Sequence, residues 1–434
     1  MLFRQLEPRT ARTTAEVITF ALWPFAVMMV LNRVFIKAIN GFITDDYRPV
    51  YNASFEFLNG RPVYTADFSS VDPHYLYGPS GTLLIAPVAI IEYELSRWLF
   101  IALNAAAILL AWYLILRLFK FGIGSIAAPA LLLAMFSSET VTNTLVFTNV
   151  NGCLLLAELL FLHLLLARRD LWAGVALGLS IAVKPTLAPL LLLAAVRGQW
   201  KVFITACGVP VGLTAIAWPL SKDPEKFFTV VMPYLMESRD YFNSAIVGNG
   251  AYYGLPEWLT LLVRVVMAGV VAVSLWLLWR YYRHDELFFV TTFSGVLLTA
   301  SFLLPSLGQM YYSMMLFPLL MTVVLRNSVL RNWPAWLAIF GFMSYDKWLS
   351  DRWQGVGRNL EYLRVTFGWG LLLIVVFCVL GERYLSARRE GRLQFGIDPA
   401  WMTGKNPPSL AVTAAPRHDD SVAPEVDTRE PALK

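Results

Sequence analysis

Apolar residues recur along this chain in long runs, most of them near the ~20 residues that a helix needs to cross a bilayer. The first covers about 17–36. Others lie near 98–119, 123–137, 150–167, 202–220, 258–281, 287–304, 306–325, 333–349 and 362–382. Two runs are irregular. The stretch 81–91 is apolar but short, and is bracketed by Pro79 and Glu92. The stretch 171–196 is interrupted at Lys184-Pro185, where proline ends or kinks a helix. The pattern predicts an all-α, polytopic transmembrane protein with about 10–12 spans.

Polar residues gather between the runs. Three stretches stand out: 37–80, 221–256 and 345–361. After Tyr384 the chain changes to Pro, Ala, Ser and charged residues. Such a segment cannot bury enough surface to offset its ordering entropy. The expected organisation is a transmembrane catalytic domain over 1–385 and a disordered cytoplasmic tail over 386–434. The first run is too long for a cleavable signal and is followed by no small-residue cleavage site, so it is read as a retained span.

Lys and Arg near span ends set orientation. In one assignment both termini are cytoplasmic, 81–91 dips in without crossing, and the chain turns at Lys184-Pro185 at the outer edge. In the rival assignment 81–91 crosses and 171–196 is one kinked span, which leaves Arg117, Lys120 and Arg168 outside. Positive-inside counting favours the first. Both put the three polar stretches on the extracytoplasmic face, which makes that face of the plasma membrane the expected place for the active site.

Composition agrees with a membrane class. Hydrophobic residues make up 57% of the 434 positions and charged residues 15%, against about 25% in soluble domains. Mean hydropathy is +0.57. The isoelectric point near 9.0 does not signal nucleic acid, because the basic residues are scattered and form no stripe. Cys153, Cys207 and Cys378 lie within apolar runs and have no ligand spacing. No HExxH, Walker or GxSxG motif occurs. No cofactor is implied. Outer acids are of a kind that recruits a divalent cation, but their spacing requires none.

Candidate chemistry lies near the outer ends of the spans. Asp45 and Asp46 follow the first span closely. A carboxylate there can take a proton from a hydroxyl held at the membrane surface, or it can cap a helix or face solvent. Lys184 sits deep in an apolar run, where a lone cation is costly. It either meets an anion or snorkels from a helix end. Arg239 and Arg264 are further phosphate candidates, with pairing to Glu237, Asp240, Glu257 or Glu361 as the alternative. His74, Tyr75, Tyr77, Tyr252 and Tyr311 suit sugar or lipid contact, though aromatics also belong at an interface. Asn149, Asn151 and Asn243 either bind sugar hydroxyls or bridge helices. Glu158 and His163 are five apart in one run and are expected to be structural polar contacts.

Several of these segments, in order, resemble one known family. Asp45-Asp46-Tyr47-Arg48-Pro49-Val50-Tyr51-Asn52-Ala53 is followed by Leu58-Asn59-Gly60-Arg61-Pro62-Val63-Tyr64, then Tyr77-Gly78-Pro79 with Leu83-Leu84-Ile85-Ala86-Pro87. Further on come Thr148-Asn149-Val150-Asn151-Gly152, Val183-Lys184-Pro185-Thr186 and Asn243-Ser244-Ala245-Ile246-Val247-Gly248. Together they are similar to the polyprenol-phosphate-sugar-dependent glycosyltransferases of the GT-C superfamily. The bacterial family concerned includes periplasmic mannosyltransferases and arabinofuranosyltransferases. The likeness runs from about residue 40 to residue 320. It departs at Leu304-Pro305-Ser306-Leu307-Gly308-Gln309-Met310-Tyr311-Tyr312, where the family often carries a His.

The resemblance implies inverting transfer of a sugar from a lipid phosphate. Asp45 or Asp46 is then the base, and Lys184, with Arg239 and Arg264, meets the leaving phosphate. The first loop and tail look most like the members that build cell-wall arabinan. That implies decaprenyl-phosphate-arabinose as donor, a polysaccharide acceptor, α-(1→3) branching of arabinogalactan or lipoarabinomannan, and membrane lipids as surroundings. A mannosyltransferase of the same family and a transporter or flippase of lipid-linked sugars are the rival readings.

Overall fold

The computed structural model describes residues 13–41, 46–70, 72–390 and 393. Asp45 and nearly all of the expected tail lie outside the described residues. Helices dominate, and no strand longer than one isolated bridge occurs among the described residues. The fold is all-α and polytopic.

The chain opens with α1 (Thr14–Leu31), extended by a π-helical segment Asn32–Ile39. A capping box between Thr13 and Glu16 starts it. Next come α2 (Tyr47–Leu58), α3 (Pro79–Ile85) with a 3-10 extension Ala86–Ile90, and α4 (Tyr93–Leu118). Then follow α5 (Ala127–Ser137), α6 (Glu139–Val146), α7 (Asn151–Leu166), α8 (Asp170–Val183), α9 (Leu191–Val196) and α10 (Trp200–Ala217). The second half holds α11 (Met232–Met236), α12 (Ile246–Tyr252), α13 (Glu257–Tyr281), α14 (Glu286–Leu303), α15 (Phe317–Met321), α16 (Trp333–Met343) and α17 (Gln354–Arg389). Internal contacts divide the chain after Arg383, and α17 itself runs past residue 385.

Among the described residues, six helical stretches are long and apolar enough to cross a membrane: Thr14–Ile39, Tyr93–Leu118, Trp200–Leu220, Glu257–Tyr281, Glu286–Leu303 and Gln354–Arg389. The other expected spans are built from shorter pieces. Pro79–Ile90 would reach about 18 Å at 1.5 Å per residue, short of a hydrocarbon core of about 30 Å. It packs instead on α2, α8 and α10.

Contacts at span ends decide between the two topologies. Arg168 and Arg197 both pair with Glu286, at 3.6 and 3.1 Å. Gln199 Nε2 donates to Asp170 Oδ1 (2.8 Å) and to the Leu165 carbonyl (3.1 Å). The chain therefore returns to the end it left between 168 and 197, so 171–196 is a hairpin and not one span. Its turn is Lys184 itself, extended at φ −149°, ψ 119°, as a residue before proline prefers. A 3-10 segment, Pro185–Leu190, follows.

Helices α8 and α10 rise side by side and parallel. A Cβ on Gly174 would lie 2.5 Å from Thr205 Cβ, and one on Gly178 would lie 2.7 Å from Val209 Cβ. Two glycines one turn apart thus let the helix axes approach, the small-residue packing common in membranes.

The polar stretches meet at the end opposite Glu286. Pro62 and Lys222 form a parallel bridge. Phe68 packs on Tyr234 (4.4 Å between ring centres), and Tyr64 packs on Phe227 (5.9 Å). Tyr252 stacks on Tyr362 at 4.8 Å, and Tyr253 donates to Asn359 Oδ1 at 3.1 Å. A loop core of Val50, Ala53, Phe57, Val63, Tyr64 and Val231 lies beneath. Sequence reading treated 37–80 as a polar loop. It holds the amphipathic α2, which buries Val50, Ala53, Ser54 and Phe57 at i, i+3, i+4 and i+7.

Candidate active site

Asp46 is positioned from both sides. Its N–H donates to the Phe147 carbonyl at 2.7 Å. The next residue, Tyr47, is fully buried among Tyr51, Tyr93 and Phe100. Its hydroxyl bonds Ser96 Oγ at 2.6 Å. Asp46 stands at the N-cap of α2, yet its side chain makes no capping hydrogen bond. Capping, one of the two structural alternatives for this acid, is therefore not its role. Asp46 lies within electrostatic reach of Tyr77 and Tyr311. Burial first, and then the Asp46 charge, push the Tyr77 phenol above its ordinary range. That phenol keeps its proton and remains a hydrogen-bond donor.

Lys184 faces the same aromatic group. Its Nζ lies 4.5 Å from the Tyr312 ring centre, 5.5 Å from that of Tyr311, and 3.5 Å from Asn151 Oδ1. Cation–π contact partly compensates a desolvated ammonium. Asn151 thus lies beside Lys184, and Asn149 lies beside Asn151. Both are buried, and the Nδ2 groups of both lack hydrogen-bond partners. Buried amides without partners cost about 1–3 kcal/mol each, so they are expected where a ligand supplies acceptors.

The Thr148–Gly152 segment is shaped to present these amides. Thr148 has φ +55°, a left-handed conformation unusual for a β-branched residue and typical of functional sites. Asn149 Oδ1 accepts the Asn151 N–H at 3.2 Å. A Cβ on Gly152 would lie 2.7 Å from Asn104 Oδ1 and 2.8 Å from its carbonyl oxygen. Glycine there lets α7 press against α4.

Arg239 lies within electrostatic reach of Tyr311. Its Nη1 donates to the Tyr234 hydroxyl at 2.9 Å, and its guanidinium lies over the Tyr234 and Tyr241 rings. Its described contacts are with these rings and not with Glu237 or Asp240.

Other candidates are engaged elsewhere. Asn243 Nδ2 donates to the Arg239 and Ser306 carbonyls (2.9 and 2.7 Å), and its Oδ1 accepts from the Ala245 and Gly308 N–H groups (3.0 Å each). The amide's two donors and two lone pairs are all used, so it pins two loops together and has nothing left for a sugar. Arg264 Nε donates to the Leu304 carbonyl at the end of α14 (2.9 Å). Tyr75 is buried, bonded to Thr82 Oγ1 at 2.7 Å. His74 Nε2 lies 3.1 Å from the Ser70 carbonyl oxygen and packs edge-on against Phe68. Tyr252 belongs to the stack with Tyr362. Of the two expected structural contacts in α7, His163 Nδ1 lies 3.1 Å from the Leu159 carbonyl oxygen. Glu158 makes none, because both its oxygens are buried without a hydrogen-bond partner.

Sequence reading missed the Arg364–Glu139 pair. Arg364 bonds Glu139, donates to the Ser344 carbonyl at 2.8 Å, and reaches Met310 Sδ at 3.8 Å. It ties α17 and α6 to the segment carrying Tyr311. The available signal was a charged residue inside the last apolar run. Gln309, whose Oε1 accepts from the Tyr311 hydroxyl, carried no such signal. Among the described residues, no three His, Cys, Asp or Glu side chains converge as a metal site.

The site therefore gathers the acid Asp46, the cation Lys184 with Arg239 nearby, two amides with unused donors and three tyrosines. Comparison with known proteins gives that assembly a family. The model for glycosyltransferase family 87 matches residues 75–306. A protein of Mycolicibacterium smegmatis named alpha-(1->3)-arabinofuranosyltransferase is 55% identical over 413 residues, covering 94% of this chain and 96% of its own. One of that name from Mycobacterium tuberculosis (strain CDC 1551 / Oshkosh) is 55% identical over 407 residues, covering 93% and 94%. Another, from Corynebacterium glutamicum, is 40% identical over 398 residues, covering 92% of each. No solved structure matches. The chain belongs to glycosyltransferase family 87, and it is a multi-span membrane glycosyltransferase.

Proposed function

We propose that this enzyme transfers arabinofuranose from decaprenyl-phosphate-arabinose to a hydroxyl of a cell-wall arabinan, with inversion, forming α-(1→3) branches at the extracytoplasmic face. The names of its relatives support the sugar and the linkage. The observation that carries the site is that Asp46 and Lys184 both border one group of tyrosines, Asp46 within electrostatic reach of Tyr77 and Tyr311 and Lys184 over the Tyr311 and Tyr312 rings.

The chemistry needs two poles. The acceptor oxygen attacks the anomeric carbon while the bond from that carbon to the phosphate oxygen breaks. The acceptor's proton goes to a carboxylate, Asp46 in this reading, with Asp45 beside it in sequence. General-base assistance contributes about 10²–10⁴-fold. The leaving phosphate gains charge as the bond breaks, and the Lys184 ammonium stabilises it. The unused Asn149 and Asn151 amide donors serve the phosphate or the sugar hydroxyls. Tyr77, held protonated, supplies a further donor.

The test uses purified full-length protein with decaprenyl-phosphate-arabinose and decaprenyl-phosphate-mannose, side by side, on a short arabinan acceptor. Arabinose incorporation is expected, and mannose incorporation alone overturns the sugar assignment. Asp46→Asn should lower kcat by about 10²–10⁴-fold while donor binding persists. If Asp46→Asn and Asp45→Asn both stay active, the base is misassigned.

A further inference from the structure

Asp46 follows the span that is least embedded in the protein. Only 11% of the apolar part of Thr14–Ile39 is buried, the smallest share among the six described stretches long enough to cross, against 50% for Tyr93–Leu118. Phe20, Phe25 and Met28 are exposed along its length. Burial concentrates at its C-terminal end, where Arg33, Val34 and Ala38 are buried in the π-helical segment Asn32–Ile39. Whatever fixes the chain ahead of Asp46 must act at that end.

Two buried guanidiniums act there. Arg33 Nε donates to the Phe136 carbonyl at 3.1 Å, and its guanidinium lies 4.5 Å over the Tyr345 ring. Arg97, from α4, takes the far end of the segment. Its Nη2 donates to the Ala38 and Gly41 carbonyls (3.0 and 3.4 Å), and its Nη1 to the Ile39 carbonyl (3.4 Å). The last carbonyls of a helix lack partners within it, and a cation there also meets the negative end of the helix dipole. A planar guanidinium with fixed donors serves three such carbonyls at once, which a point-like ammonium does less well. Gly41 is where the chain turns off, since a Cβ there would collide with the Lys37 carbonyl oxygen.

The neighbouring residue grips the chain on the other side of the acid. Ser96 Oγ donates to the Val88 carbonyl, and so accepts from the Tyr47 hydroxyl at 2.6 Å. Ser96 and Arg97 stand at the start of α4, where the Glu92 carboxylate caps the N–H groups of Glu94 and Leu95 (3.1 and 3.2 Å). Two consecutive residues of one capped helix thus hold Gly41, ahead of Asp46, and Tyr47, directly after it.

We infer that Arg97 is a positioning residue for the base. Through these carbonyls it fixes where the chain leaves the first span, and so the distance from the Asp46 carboxylate to the acceptor hydroxyl. The inference rests on the proposed function for the role of Asp46. Misplacement of a reacting group by about 1 Å can cost about 10²-fold in rate.

The test is a mutant cycle on purified full-length protein, with decaprenyl-phosphate-arabinose and an arabinan acceptor: Arg97→Met, Asp46→Asn and the two together. Steady-state rates give kcat and KM, and single turnovers with enzyme in excess read the slow variants. With Asp46 present, Arg97→Met should lower kcat about 10²-fold while the donor KM changes by less than about threefold. In the Asp46→Asn protein it should lower the rate by less than about threefold, because a carboxylate that is gone cannot be misplaced. Equal losses in both backgrounds overturn the inference and leave Arg97 a structural support alone. So does a kcat within about threefold of wild type. Full activity of Asp46→Asn by itself overturns the proposed base, and the inference with it. Arg97→Lys runs the same cycle where Arg97→Met fails to fold. It keeps the charge but reaches fewer carbonyls, so kcat should fall about tenfold, again only while Asp46 is present.

Discussion

Replacing Lys184 with methionine separates a catalytic cation from a structural one, because the two roles predict opposite signs for stability. The ammonium stands 4.5 and 5.5 Å from two ring centres and 3.5 Å from one amide oxygen, with no carboxylate among these contacts. A phosphate oxygen about 4 Å from it would interact by about 4 kcal/mol at an effective dielectric of 20. Only the part that grows as the phosphate leaves lowers the barrier. Loss of one preorganised donor in such sites typically costs about 2.7–4 kcal/mol, or about 10²–10³ in kcat. Stability should move the other way. A lone intramembrane lysine costs about 2.5–3.5 kcal/mol on insertion scales, and methionine removes that cost while keeping the stem's packing. The expected protein turns over about 10²–10³-fold more slowly, with a Tm equal to or above wild type. The assay is radiolabelled transfer to an arabinan acceptor, with thermal unfolding on the same preparation. Lys184→Arg, which keeps the charge, should recover part of the rate. Activity within threefold of wild type would refute the phosphate role. Inactivity with a Tm lowered in step would instead mark Lys184 as structural.

Three further outcomes test the architecture around the site. Asn243→Ala strands two carbonyls and two N–H groups, so Tm should fall by the equivalent of about 2–5 kcal/mol, with KM for residual activity little changed; a specific rise in KM at unchanged Tm would restore its sugar-binding role. Arg364→Leu leaves Glu139 largely buried without its partner and should cost about 3–5 kcal/mol. Adding Glu139→Leu should return much of that, as denaturation of the single and double variants would show. Gly152→Ala forces a methyl against Asn104 and should destabilise by about 1–3 kcal/mol, and an unchanged Tm would mean that α4 and α7 are not held at this distance.

The chain's own pattern determined the class, the extent of most helices and the break at Lys184-Pro185. These are local or solvent-driven effects. An apolar run must be helical in a membrane because no water there satisfies the backbone, and proline acts on its own neighbours wherever it stands. The pattern also nominated Asp46, Lys184, Asn149 and Asn151, since polar groups near span ends are few.

Only the tertiary structure decided which polar groups still have hydrogen-bonding capacity for a ligand. Asn151 and Asn243 are the same residue type in similar settings. Asn243 is saturated by Ser306 and Gly308, more than sixty positions away, whereas the Asn151 Nδ2 has no partner. Glu286, distant in sequence from both Arg168 and Arg197, joins them at one end and so settles how the chain threads. The Arg364–Glu139 pair spans 225 positions. Hydrogen bonds and ion pairs of this kind depend on distances of a few ångströms between segments, and no periodicity in the sequence encodes those distances.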